Sequence, residues 1–153
     1  MKITLTSILP RRSRSKSEPT DRLLADYIDR IGHYAPCDSQ LFETEVALLD
    51  WLDRSPGRIP AYSVLLDSRG RQLSSTEFAS WLGSRRDQGT QHIVFAIGPA
   101  DGWSSVATEA AKSGLLLSFG PITMAHELAR LVLAEQLYRA CTILAGHPYH
   151  SGH

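Results

Sequence analysis

Apolar and polar positions alternate from Ile3 to Leu9 among β-formers, which predicts a first strand ended by Pro10. Leu23, Leu24, Tyr27, Ile28 and Ile31 then recur on one helical face, with Thr20 placed to cap the helix and Gly32 to stop it. Gln40 to Thr44 reads as a short strand, and Val46 to Leu52 as helical until SPGRIP interrupts it. Tyr62 to Leu66 predicts a buried strand closed by Asp67, Ser68, Arg69 and Gly70. Ser74 and Glu77 form a capping box ahead of a helix carrying Phe78 and Trp81. His92 to Ile97 is the next strand, followed by a helix over about 104–112 and a strand over Leu115 to Ser118. Leu128, Leu131, Val132, Leu137, Tyr138, Cys141 and Leu144 fix a last long helix, about Thr123 to Ala145, which Gly146 ends. Strands alternating with helices predict one α/β domain with a largely parallel sheet.

Composition adds mainly exclusions. A chain of 153 residues, 42% hydrophobic and 21% charged, buries enough surface to need no disulfide or metal staple. Sixteen basic residues balance sixteen acidic ones, so affinity for an acidic partner has to come from local clustering. The start carries an apolar run followed by positive charge, the reverse of a signal peptide, and no window is apolar enough to span a membrane. A cytoplasmic, non-membrane setting is expected. Cys37 and Cys141 are far apart and unpaired in sequence, and His147 and His150 stand in a tail rather than on a helix; no metal site is expected. GxGxxG after the first strand, GxxxxGK[ST], HExxH and GxSxG are all missing, which argues against dehydrogenase, P-loop, zinc hydrolase and serine hydrolase chemistry.

The chemistry that remains sits at strand ends and in the tail. In a parallel sheet, ligands collect beyond the carboxyl ends of the strands. Those ends here read LLDSRG, AIGPADG and SFGPIT, all bearing glycine, which permits tight turns or close approach to the main chain. Arg11, Arg12, Arg14 and Lys16 form a basic loop, either solvated or in contact with phosphate. His147, Tyr149 and His150 offer rings for stacking on an unpaired base, or a disordered terminus. Arg139 lies one turn after Glu135, the spacing of a surface ion pair. His126 opens the last helix, as a capping, packing or catalytic residue.

The run LYRACTILAGHPYH at 137–150 closely resembles the C-terminus of the RlmH (YbeA-type) family of ribosomal RNA methyltransferases. The resemblance continues through HELARLVLAEQLYRA, AIGPADG, LLDSRG and the opening MKITL. It implies a SPOUT-type α/β sandwich with a C-terminal trefoil knot, a homodimer, and S-adenosyl-L-methionine as methyl donor. The implied activity is methylation of N(3) of a pseudouridine in an intersubunit stem-loop of 23S rRNA on assembled ribosomes. The implied cofactor residues are Leu66, Asp67, Gly98, Pro99, Gly102, Phe119, Gly120, Pro121, Ile122, Thr123, Met124 and Ala125. Arg139, Tyr149, His150 and His126 match family positions expected to hold or activate the target base, with Arg11, Arg12, Arg14, Lys16 and His147 expected on RNA. Pro99 stands where the family has its second glycine, which removes a backbone donor. Gly120 and Pro121 stand where the family commonly has serine and a small residue. The alternative is therefore a non-catalytic ribosome- or RNA-binding relative that has lost the cofactor.

Overall fold

The computed structural model describes residues 1–13, 18–54 and 59–152; Arg14 and Lys16 of the basic loop lie outside them. Among the described residues the strands are β1 (Lys2–Ile8), β2 (Cys37–Phe42), β3 (Tyr62–Gln72), β4 (His92–Ile97) and β5 (Leu115–Ser118). The helices are α1 (Glu18–Gly32), α2 (Glu45–Asp53), α3 (Ser75–Asp87), α4 (Ser105–Ala110) and α5 (His126–Leu144), with 3-10 turns at Arg11–Ser13 and His150–Gly152. The strands form one sheet in the order β2-β1-β4-β3-β5, and every neighbouring pair is parallel, as the alternation of elements predicted.

Side chains leave a strand on alternating faces, and the core follows that period of two. Ile3, Leu5, Val64, Ile93, Phe95 and Ile97 face α1, α3 and α5, where they meet Leu24, Ile31, Phe78, Leu82, Leu133 and Leu137. Ile8, Leu65 and Ala96 face the other way, onto Leu48, Trp103, Ala107 and Ala111 of the layer holding α2 and α4. A parallel sheet covered on both faces has to satisfy any polar group it buries. Buried Thr6 donates to the Phe95 carbonyl at 3.0 Å, and buried Thr4 donates to Asp38 at 2.6 Å.

Several boundaries differ from the sequence expectation. Thr20 is not a cap: α1 already begins at Glu18, with Pro19 in a first turn where its missing N–H costs nothing. Thr44 is the N-cap of α2, its hydroxyl accepting from the Ala47 N–H, rather than the end of β2. The capping box of Ser74 and Glu77 forms as expected. The last helix begins at His126 rather than Thr123, which leaves 119–125 irregular. β3 does not close at Leu66. It runs on to Gln72 after a register break, so that both Leu66 and Arg71 pair with Leu117 of β5. The residues between them bulge out of the ladder, a device that re-aims side chains at functional sites.

Candidate functional site

The sheet order seats β3 between β4 and β5, so the β3 bulge and the glycine-bearing ends of β4 and β5 are neighbours in space. Their loops enclose one cleft of about 740 Å³. It is lined by Leu66 and Asp67 at the bulge within β3, Gly98, Pro99 and Gly102 after β4, and Phe119, Gly120, Ile122, Thr123, Met124 and Ala125 after β5. Of the cofactor residues expected from the sequence, Pro121 alone is not in this wall. Convergence of the three bends is thus a property of the fold.

Each bend is held by its own chemistry. In the β3 bulge, Asp67 accepts from the Arg69 backbone N–H at 2.8 Å and from its guanidinium at 3.0 and 2.8 Å. That pairing holds the Asp67 carboxyl below its ordinary range, with only 6% of the side chain exposed. The turn after β4 closes through the Gly102 N–H donating to the Pro99 carbonyl at 2.9 Å, with Gly102 at φ +88°. After β5, Gly120 stands at φ +96° and donates its N–H to the Ser118 hydroxyl at 3.0 Å.

Gly98 is glycine for a different reason. A Cβ there would lie 2.8 Å from the Trp103 indole, which is packed over the strand end and donates Nε1–H to the Leu66 carbonyl at 2.9 Å. Trp103 therefore ties the β4 loop to β3 where its bulge begins. The same loop is anchored from α2: Glu45 accepts from the Ser104 backbone N–H at 2.9 Å and from the Ser104 hydroxyl. Neither Trp103 nor Glu45 was singled out by the sequence. An aromatic residue directly after a glycine turn was the available signal for Trp103; Glu45, 59 residues away, offered none.

His126 lines the cleft at the first residue of α5. Both ring nitrogens are buried, and neither has a hydrogen-bond partner among the described residues. Burial, and then the Arg130 charge, hold the imidazole below its ordinary pKa; the Ile8 carbonyl pulls the other way but lies outside hydrogen-bond geometry. A neutral imidazole also suits the positive end of a helix.

The other expected catalytic residues gather elsewhere. Arg139, Tyr149 and His150 meet at the far part of α5, on the order of 20 Å along the axis from His126. Glu135 accepts from Arg139 Nη2 at 2.6 Å and Nε at 3.1 Å, and from the Tyr149 hydroxyl at 3.1 Å. Arg139 Nη1 donates to His150 Nδ1 at 3.1 Å, and its guanidinium lies 5.0 Å from the Tyr149 ring centroid. Burial, then hydrogen bonds with Tyr27 and Glu135, raise the Tyr149 pKa. The expected Glu135–Arg139 pair thus forms as the centre of a cluster rather than as an isolated surface contact. His147 is exposed, its Nδ1 accepting from the Tyr149 N–H at 3.2 Å. Arg11 pairs with Glu43 at 3.1 Å and Arg12 is exposed; neither lines the cleft. Among the described residues, no three His, Cys, Asp or Glu side chains are grouped to hold a metal, and no helix is long and apolar enough to cross a membrane.

Comparison with known proteins agrees with this architecture. A family model described as "Predicted SPOUT methyltransferase" matches residues 1–150. A ribosomal RNA large subunit methyltransferase H from Koribacter versatilis is 46% identical over 140 residues, covering 92% of this chain and 94% of that protein. The protein of the same name from Maricaulis maris is 41% identical over 152 residues, covering 90% and 93%. The SpoU methyltransferase AviRb from Streptomyces viridochromogenes, solved in complex with AdoMet, superposes with a TM-score of 0.50 at 12% identity. The alignment covers 96% of this chain and 58% of that one, a likeness of fold. The family model over residues 1–150 and relatives matched over nine tenths of the chain, on a parallel sheet with its bends gathered in one cleft, place the chain in the SPOUT methyltransferases, and within them in the ribosomal RNA large subunit methyltransferase H family.

Proposed function

We propose that the protein methylates N(3) of a pseudouridine in an intersubunit stem-loop of large-subunit rRNA, on assembled ribosomes, using S-adenosyl-L-methionine. The observation that carries this reading is the one cleft built from the β3 bulge and the glycine-bearing ends of β4 and β5. The fit to a nucleoside-bearing amino acid rests on its walls: main chain in turn conformations at Gly102 and Gly120, with no side-chain atoms crowding either position. The backbone of Leu66, of 98–102 and of 119–125 would hold the adenosine and carboxylate. S-adenosyl-L-methionine supplies an electrophilic methyl group on a sulfonium sulfur.

The target imide is nucleophilic only once N(3) has passed its proton to solvent water. Negative charge then spreads onto its carbonyl oxygens, where a fixed cation and hydrogen-bond donors stabilise it. Arg139 and His150 are such a group with the Tyr149 ring beside them, and His126 is a polar side chain of the cleft itself. The separation along α5 keeps the Arg139 cluster away from the cleft of the same chain, which favours a homodimer in which the tail of one protomer serves the cleft of its partner. Arg11, Arg12, Arg14, Lys16 and His147 add phosphate and base contacts around that site.

Two measurements test the proposal. Calorimetric titration with S-adenosyl-L-homocysteine should give micromolar binding, and tritiated methyl should pass to ribosomes lacking the modification. A well-folded protein that binds neither S-adenosyl compound is instead the RNA-binding relative without a cofactor. Transfer to a different nucleotide would keep the enzyme and refute the target.

A further inference from the structure

We infer that Glu135 is a positioning residue that docks the C-terminal tail and, through Arg139, holds His150 in the tautomer carrying its proton on Nε2. The inference rests on the proposed role of the tail at the target base and assigns how the tail is set for that role.

Four contacts make the case. One carboxylate oxygen, Oε1, receives the Arg139 guanidinium through two nitrogens and the Tyr149 hydroxyl as well. The other, Oε2, receives Gln136 Nε2 at 2.8 Å, and Gln136 Oε1 in turn accepts from the Ser75 hydroxyl of α3 at 2.7 Å. Glu135 is thereby held from a second helix before it holds anything itself. Its side chain is 21% exposed and that of Arg139 13%, so solvent screens this pair less than it does the open ion pairs of the surface.

The consequence for His150 follows from donor counting. A guanidinium has donors and no acceptor, so in its 3.1 Å contact with Arg139 Nη1 the His150 Nδ1 has to be the acceptor. A proton on Nδ1 would face the guanidinium and break the contact. Neutral His150 therefore carries its hydrogen on Nε2, on the side of the ring away from Arg139. Nδ1 is occupied and Nε2–H donates, so His150 offers a hydrogen bond to a base oxygen and leaves neither nitrogen to accept the imide proton. Tyr149 is engaged likewise, its hydroxyl donating to Glu135. Without Glu135, the guanidinium loses the partner that aims it and Tyr149 loses a hydrogen bond, while the tail keeps its backbone bond from His147 to Thr142 and the Tyr149 ring on Tyr138.

The experiment combines nitrogen NMR of histidine-labelled protein with kinetics, in the wild type, E135Q and E135A. In the wild type at neutral pH, His150 should show a protonated Nε2 and an unprotonated Nδ1, with its signals assigned by their loss in H150N. E135A should populate both tautomers and lower methyl transfer by about 100-fold or more, the scale of a misplaced polar catalytic group, with S-adenosyl-L-homocysteine affinity unchanged within about twofold. E135Q keeps an acceptor oxygen and should fall between, near tenfold. An unaltered His150 tautomer in E135A, or wild-type transfer rates, would overturn the inference. So would a loss of cofactor affinity in step with activity, which would mean that Glu135 only supports the fold. If the wild type methylates no rRNA, the proposed function fails, while the tautomer measurement still decides the role of Glu135.

Discussion

Two glycines of the cleft look alike in sequence, yet the structure requires them for different reasons, and substitution separates these. At Gly98 the obstacle is space. An alanine methyl would sit 2.8 Å from the Trp103 indole, so G98A should cost about 1–3 kcal/mol through overpacking. Trimming the indole should relieve that cost: W103F alone forfeits the bond to the Leu66 carbonyl, about 1 kcal/mol, but G98A in the W103F background should cost clearly less than in the wild type. Gly120 has open space and φ +96°, so G120A should cost about 1–3 kcal/mol as backbone strain that no neighbour relieves. Urea unfolding of the wild type, G98A, W103F and the double variant supplies the double-mutant cycle, and additive costs at 98 and 103 would remove steric coupling as the reason for Gly98. Single residues also set the response to pH. His92, whose Nε2 lies 2.8 Å from the Thr4 hydroxyl, and His126 are both held below the ordinary histidine value of 6.5, first by burial. The unfolded chain therefore binds protons that the fold does not. Their contribution to stability is complete above 6.5 and is lost as pH falls through the folded values. Asp38 extends the decline below 3.8: against the effect of burial, Thr4 and Lys2 keep it ionised in the fold. Urea midpoints should drop on acidification from neutrality, and H92Q should flatten the first part of that drop; a flat wild-type profile would contradict this assignment.

The elements legible in the sequence were those whose ends carry local chemistry. The capping box at Ser74 and Glu77 placed α3, and β4 and β5 came out residue for residue, because each is a short apolar run bounded by polar or glycine residues. Where the expectation failed, the deciding force was tertiary. β3 continues past Leu66 because Gly70 lets its distal half approach β5 closely: a Cβ at 70 would lie 2.6 Å from the Leu116 backbone. That approach is a pairing with residues 46 further along the chain, invisible to a local pattern. The start of α5 was expected at about Thr123, three residues early, because the true cap position, Ala125, makes no side-chain hydrogen bond that would mark it in the sequence. Two cleft walls were readable as the glycine-bearing ends of β4 and β5, and the third was expected as a strand end but is the β3 bulge; their fastening was not readable. Glu45 of α2 grips both the N–H and the hydroxyl of Ser104, so it holds the 98–103 loop from a helix outside the cleft. E45A should leave the fold intact at a cost of about 1–2 kcal/mol, yet weaken S-adenosyl-L-homocysteine binding severalfold by loosening that loop. Calorimetry beside thermal denaturation distinguishes the two effects, and equal affinity in E45A would mean the loop needs no tether.

At the scale of the whole molecule, one helix connects the two groups that the proposed methyl transfer needs together. α5 starts at the cleft with His126 and Ala129 and carries Arg139 and Glu135 near its other end, where the tail folds back onto it. A rigid helix does not shorten, and the tail is bound at 135–139 rather than reaching toward 126. Within one chain the target base would then have to bridge a gap on the order of 20 Å. A second copy closes the gap if a two-fold axis brings its tail to this cleft, and a symmetric dimer would then hold two equivalent composite sites. That arrangement makes a prediction no single-chain site can meet. R139A should be inactive with its cleft intact, and G120W should be inactive because its indole fills the cleft while its tail is intact. Mixed after mild dissociation, the two should recover about one quarter of wild-type activity, since half the dimers are mixed and each carries one complete site. Each variant alone should stay inactive at the same total concentration. No recovery, with mixed dimers verified by native mass spectrometry, would mean that every protomer uses its own tail and that the distance along α5 is closed by movement within one chain.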